Sequence, residues 1–218
     1  FFTYLVMIYV ATRKFAYFGA GLGLMTVAAL VGYKIFSHVQ TRVLAWSDPL
    51  AVIDNAGYQI CQSLFAIGTG GWFGLGLNQG MPNKIPVVSK DFVFAAISEE
   101  MGGVFALCLI MVCVSCFFMI MNVAMLLRDN FYRLTAVGLG TLYALQVFLT
   151  IGGVIKFIPS TGVTLPLVSY GGSSLLSTMI VFGMIQGLYI ANATKETENI
   201  GNRKKRKQKG NNTGRKRT

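Results

Sequence analysis

The chain has 218 residues, 54% of them hydrophobic and only 12% charged, with a mean hydropathy of +0.58. A soluble domain carries about 25% charged residues, so the composition excludes a cytosolic enzyme with one aqueous core, a secreted disulfide scaffold and a disordered chain, and points to the bilayer as solvent. The net charge of +11 is local: ten of the nineteen Lys and Arg lie between Lys195 and Arg217, against Glu196 and Glu198, which leaves about +3 for everything before them.

In chain order, residues 1–11 are apolar but shorter than the roughly 20 helical residues a hydrocarbon core requires. With no initiator Met and no signal-peptide pattern, they look like a truncated span. A full-length span is expected over 15–36, closed by Lys34, then a long loop over 37–91. Further spans are expected over 92–127, stopped by Arg128, Asp129 and Asn130; over 134–155, stopped by Lys156; and over 173–193. The reading is an all-α polytopic membrane helix bundle of about five spans, followed by a basic tail over 194–218. That tail, with Arg203 to Lys207, marks the cytoplasmic side and a site for anionic lipid. It has no interleaved aromatics, so nucleic acid is not expected as a partner.

The stretch from Ala56 to Leu77 is long enough to span, yet it holds Gln59, Gln62, Ser63 and six glycines. Polar residues and glycine at this density suit an interfacial or re-entrant segment. Fixing the tail inside then places 37–91 outside as one extracellular loop, rich enough in Trp, Tyr, Phe and Leu to pack. Cys61, Cys108, Cys113 and Cys116 have no second ligand pair nearby and read as packing residues, and the lone His38 reads as interfacial.

Of the eight acidic residues, Asp91, Glu99 and Glu100 bracket the entry of a membrane helix. On helical spacing, Asp91 shares a face with residues 95, 98 and 99. The plainer reading, which the residues alone favour, makes Asp91 an N-cap. From Lys156 to Ser174, two prolines, three glycines and seven hydroxyl side chains, among them Ser160, Thr161, Thr164, Ser169 and Ser173, make a non-helical segment expected to dip against the bundle. Residues 169–174 are placed to offer backbone N–H groups to a phosphate.

Three segments carry a resemblance. QSLFAIGTGGWFGLGL at 62–77, DFVFAAISEEMG at 91–102 and PSTGVTLPLVSYGGSS at 159–174 resemble, in this order, the FtsW/RodA/SpoVE (SEDS) peptidoglycan glycosyltransferases, the third segment leaning to FtsW and SpoVE. The resemblance implies the C-terminal half of a ten-helix fold, with the large extracellular loop at about 38–91. It implies polymerisation of lipid II with release of undecaprenyl pyrophosphate, Asp91 as the essential carboxylate, and a class B penicillin-binding protein as transpeptidase partner. It also implies that part of the substrate cavity belongs to the other half. Lys90 stands where many members have Thr and is expected to weaken Asp91 as a base.

A pyrophosphate leaves as a stabilised anion, so one base suffices where glycosidases need two carboxylates. The developing charge needs cations. Lys156, beside the proline-rich segment, is placed ahead of Arg42, Lys84 and Lys90, and a divalent ion (Mg or Mn) is admitted although no site for one is evident. Gln59, Gln62, Ser63, Lys90, Glu99, Glu100, Thr161, Thr164, Ser169 and Ser173 complete the expected substrate-binding set. The alternatives are a lipid II flippase, which would need more polar residues at bilayer depth than Gln146 and Gln186, and a non-catalytic scaffold for a transpeptidase.

Overall fold

Where the sequence is apolar and free of Pro, the chain runs as helix. In the computed structural model the backbone is described for residues 1–214 except Ala56, Pro82, Asn83 and Val87, and the side chains to residue 194. The basic run at 203–207 therefore lies outside the described side chains. Among the described residues seven helices follow one another: α1 (Phe2–Thr12), α2 (Phe15–Ile35), α3 (Ser37–Ser47), α4 (Tyr58–Gly70), α5 (Val93–Leu126), α6 (Asn130–Val154) and α7 (Gly172–Gly214). No strand occurs among the described residues.

Four helices are long and apolar enough to cross a bilayer: α2, α5, α6 and residues 172–194 of α7. At 11 residues α1 is not, and it folds back on α2 and leans on α6. Glycine permits both contacts, because a Cβ at Gly21 would run into Leu5, and one at Gly138 would lie 2.7 Å from the Met7 sulfur. α4 has 13 residues, about 20 Å of helix, and does not reach across a hydrocarbon core of about 30 Å.

The core is the α5–α6 seam. Ala106, Cys113, Ile120 and Ala124 of α5 are buried against a face of α6 that includes Ala136, Val137, Tyr143 and Val147. Small residues set the distance, since a Cβ at Gly140 would sit 2.9 Å from Ile120. α2, in contrast, buries nothing within this chain. α7 closes on the pair through the Tyr143–Phe182 edge contact and the hydrogen bond from Asn192 Nδ2 to the Leu126 carbonyl.

One break organises the loop side. Gly102 sits inside α5 at φ 84°, ψ 171°, a conformation open to glycine alone, and it frees the helical hydrogen-bond ladder on both sides. The Gly103 and Val104 N–H groups donate to the Gly71 and Trp72 carbonyls, while Leu75 and Gly76 donate to the Glu99 and Glu100 carbonyls, at 2.8–3.2 Å. The glycine-rich turn after α4 is thus zipped into the kink. A Cβ at Gly70 or Gly74 would collide with the α5 backbone, which accounts for these two glycines of the first motif.

The spans place residues 36–92 and 155–171 on the same side of the bundle, and the two segments touch. Trp46 Nε1 donates to the Lys156 carbonyl at 3.1 Å, and the Tyr170 N–H to the Ser89 carbonyl at 2.8 Å. The proline-rich segment does dip against the bundle: Leu165 is fully buried, Thr150 Oγ1 donates to the Val163 carbonyl, and Gln146 Nε2 to that of Thr164.

Candidate active site

Asp91 stands one residue before the N-cap position of α5, which is Phe92 and carries no side-chain cap. It therefore neither caps the helix nor shares its face. Ala95, Ser98 and Glu99 of that face are buried, and Glu99 lines a different hollow from Asp91. The shared face inferred from spacing fails because the helix begins two residues too late to include Asp91.

Asp91 instead opens into a groove of about 130 Å³, with Arg42 and Thr41 from α3, Gln59 from α4, and Ser160 and Gly162 from the proline-rich segment. Each wall is held in place. Arg42 Nη1 donates to the Ser160 carbonyl at 3.0 Å, and Gln59 Nε2 donates to the Pro86 carbonyl at 2.8 Å. Gly162 adopts φ +72°, and a Cβ there would lie 3.4 Å from Asp91 Oδ2, so the carboxylate looks onto bare backbone. Asp91 is the sole carboxylate among the lining residues, and Arg42, with guanidinium N–H groups to spare, is the sole cation.

Lys156 does not line this groove. It ends α6 in the left-handed conformation (φ 60°), its carbonyl receives Trp46, and its Nζ donates to the Ser47 carbonyl at 3.4 Å. Its ammonium reaches α3, and the cation that lines the Asp91 groove is Arg42. The signal was present in the sequence: Thr41, Arg42 and Ala45 fall together on helical spacing.

The other expected residues separate into groups. Gln62 and Glu99 line a second hollow beyond α4. Ser63 is fully buried and bonds the Ile60 and Val154 carbonyls, so it fastens α4 to α6. Glu100 holds the glycine turn through its carbonyl. Lys90, Thr161 and Ser173 are exposed and line neither hollow. Thr164 Oγ1 bonds Ser174 Oγ at 2.7 Å, and Ser169 Oγ accepts the Leu165 N–H at 2.9 Å. The Ser169 and Tyr170 N–H groups are engaged with the Leu165 and Ser89 carbonyls, so they are not free for a phosphate.

Beside the groove, burial pushes the Cys61 thiol above its ordinary range, partly countered by the Lys156 charge and reinforced by Asp48. Cys61 is a packing residue here. Among the described residues, no three His, Cys, Asp or Glu side chains come together to hold a metal ion. The donor set does not form a resident metal cage.

Comparison with known proteins gives the family. The chain is 44% identical over 183 residues to "Peptidoglycan glycosyltransferase RodA" of Mycobacterium tuberculosis (strain ATCC 25618 / H37Rv), covering 84% of this chain and 39% of that protein. It is 36% identical over 191 residues to "Stage V sporulation protein E" of Bacillus subtilis (strain 168), covering 84% and 50%. The identity is higher to the RodA protein, against the leaning of the third motif. The chain thus spans at most about half the length of these relatives. A solved structure reported as "Structural coordination of polymerization and crosslinking by a peptidoglycan synthase complex" shares the fold, with a TM-score of 0.67 at 24% identity over 88% of this chain and 54% of the other. The family model described as "Cell cycle protein", FtsW/RodA/SpoVE, matches residues 1–195, and the chain belongs to that family of multi-pass membrane proteins.

Proposed function

We propose that the full-length protein polymerises lipid II into glycan strands at the Asp91 groove. The observation that carries this reading is a single carboxylate and a single arginine lining one groove, with Asp91 from the second family segment and Ser160 and Gly162 from the third. Asp91 takes the proton from the acceptor sugar hydroxyl as that oxygen attacks the anomeric carbon of the lipid-linked sugar. The bond from that carbon to the pyrophosphate oxygen breaks as the new glycosidic bond forms. With no second carboxylate lining the groove, this is one displacement with inversion. The Arg42 guanidinium meets the charge that develops on the departing pyrophosphate.

At about 130 Å³ the groove is smaller than ligand pockets of about 300 Å³ and above, so it suits the reacting groups rather than a whole lipid-linked disaccharide. In this reading the groove faces the cell exterior and the C-terminus the cytoplasm. A class B penicillin-binding protein docks its single span on the exposed apolar crevice between α5 and α6, along Val114, Phe117 and Phe148. The test is strand synthesis from purified lipid II by the full-length protein in detergent. Asp91→Asn is expected to abolish polymerisation with an unchanged melting temperature, and retained synthesis would remove the mechanism.

A further inference from the structure

A second hollow, of about 330 Å³, lies farther along α4 than the Asp91 groove, with Glu99, Gln62, Gln79 and Lys84 as polar walls and Phe65, Leu75 and Ile85 as apolar ones. Glu99 is 7% exposed. Its Oε1 accepts the Met81 N–H at 3.2 Å, while its Oε2 is fully buried with no hydrogen-bond partner among the described residues. A buried carboxylate oxygen without a donor is a costly arrangement that a fold keeps for a reason. The backbone is built around it: Gly80 passes so close that a Cβ there would lie 3.1 Å from Oε2, and the Leu75 N–H grips the Glu99 carbonyl at 2.9 Å.

The shape of the deficit describes what would fill it. A buried carboxyl oxygen without a partner has room for a donor, a charged donor makes the stronger bond, and the amide oxygens of Gln62 and Gln79 can take further N–H groups. The apolar walls match an alkyl stem, as they do for buried lysine chains. A divalent ion is the poorer fit, because one carboxylate stands alone where such an ion takes about six or more oxygen ligands. We propose that this hollow binds a primary ammonium group on a short alkyl chain, with Glu99 Oε2 accepting its charged hydrogen bond.

The test is calorimetric titration of the full-length protein in detergent with n-pentylammonium chloride. Saturable binding is expected, with 1-pentanol at least tenfold weaker. Glu99→Gln should weaken it at least tenfold. Gly80→Ala should do the same while leaving the charge intact, which keeps the test decisive even where Glu99→Gln fails to fold. Absence of saturable binding, equal binding of pentanol, undiminished binding by a folded variant, or displacement by calcium chloride with calcium held on Glu99 would each overturn the proposal. Competition then identifies the source. Displacement by lipid II with its peptide amine free, but not N-acetylated, assigns the ammonium to the substrate, whereas displacement by neither form assigns it to a free small amine. Only this second arm rests on the polymerase reading. Asp91→Asn is expected to bind pentylammonium unchanged, so failure of one proposal is distinguishable from failure of the other.

Discussion

Replacing Gly102 with alanine strikes the joint on which the whole loop side hangs. The residue's φ of 84° and ψ of 171° lie in a region that costs a non-glycine residue about 1–3 kcal/mol. The new Cβ would also meet the Gly74 nitrogen, the Phe73 carbonyl carbon and the Trp72 oxygen, all backbone atoms that cannot swing aside. Four interlocking hydrogen bonds then stand to be lost, those from Gly103, Val104, Leu75 and Gly76, at a net of about 0.5–1.5 kcal/mol each. Strain plus half of these bonds gives about 3 kcal/mol of local stability. At about 1.4 kcal/mol per factor of ten, the amides of the zipped turn should exchange about a hundredfold faster. Hydrogen exchange read by mass spectrometry on peptides covering 71–76 and 103–104, against an α6 peptide as internal reference, is the assay. Exchange within about threefold of the unmodified protein would refute the account of the kink.

Arg42, Ser63 and Cys61 give three further expected outcomes. Arg42→Ala is expected to lower turnover of lipid II about 10²-fold, the usual cost of losing one charge-stabilising donor, with Arg42→Lys recovering part of it. Equal turnover in all three proteins would remove Arg42 from the chemistry. Ser63→Ala leaves the buried Val154 carbonyl without the hydroxyl it receives at 3.3 Å, and should lower the melting temperature by an amount corresponding to about 1 kcal/mol. An unchanged melt would mean that the bond contributes nothing. For Cys61, desolvation favours the protonated thiol in the fold, so its stabilising contribution is full below the unfolded thiol's pKa near 9 and fades as pH climbs through the higher native value. Iodoacetamide should therefore leave Cys61 unmodified at pH 8 in the native protein while labelling it readily in denaturant, and rapid native labelling at that pH would contradict the burial.

Span positions were legible because apolar runs of about 20 residues bounded by Lys34, Arg128 or Lys156 have few alternatives to a membrane helix. The non-spanning nature of the region around α4 was legible for a similar reason: Gln59, Gln62, Ser63 and the glycines are costly in hydrocarbon. The site was legible in its central residue and not in its companions. Asp91 is conspicuous in so acid-poor a chain, but its neighbours come from segments up to 71 residues away, and helical spacing assigned it to Glu99 instead. Helical spacing groups Arg42 with Thr41 and Ala45 but does not rank it against Lys156. What separates them is a left-handed helix end that turns the lysine toward Ser47, and an arginine on an 11-residue helix lying over Ser160. The hydroxyls of the third motif misled in the same way: Thr164, Ser169 and Ser174 satisfy one another and the backbone, a division of partners decided by the folded loop.

One short helix contributes to both hollows. Gln59 and Ile60 of its first turn line the Asp91 groove and Gln62, Phe65, Ala66 and Thr69 farther along line the Glu99 hollow, with Ser63 as the rivet to α6. A shift of α4 therefore moves lining residues of both hollows at once. Any energy by which an occupant of one side alters affinity on the other must appear with the same size in reverse.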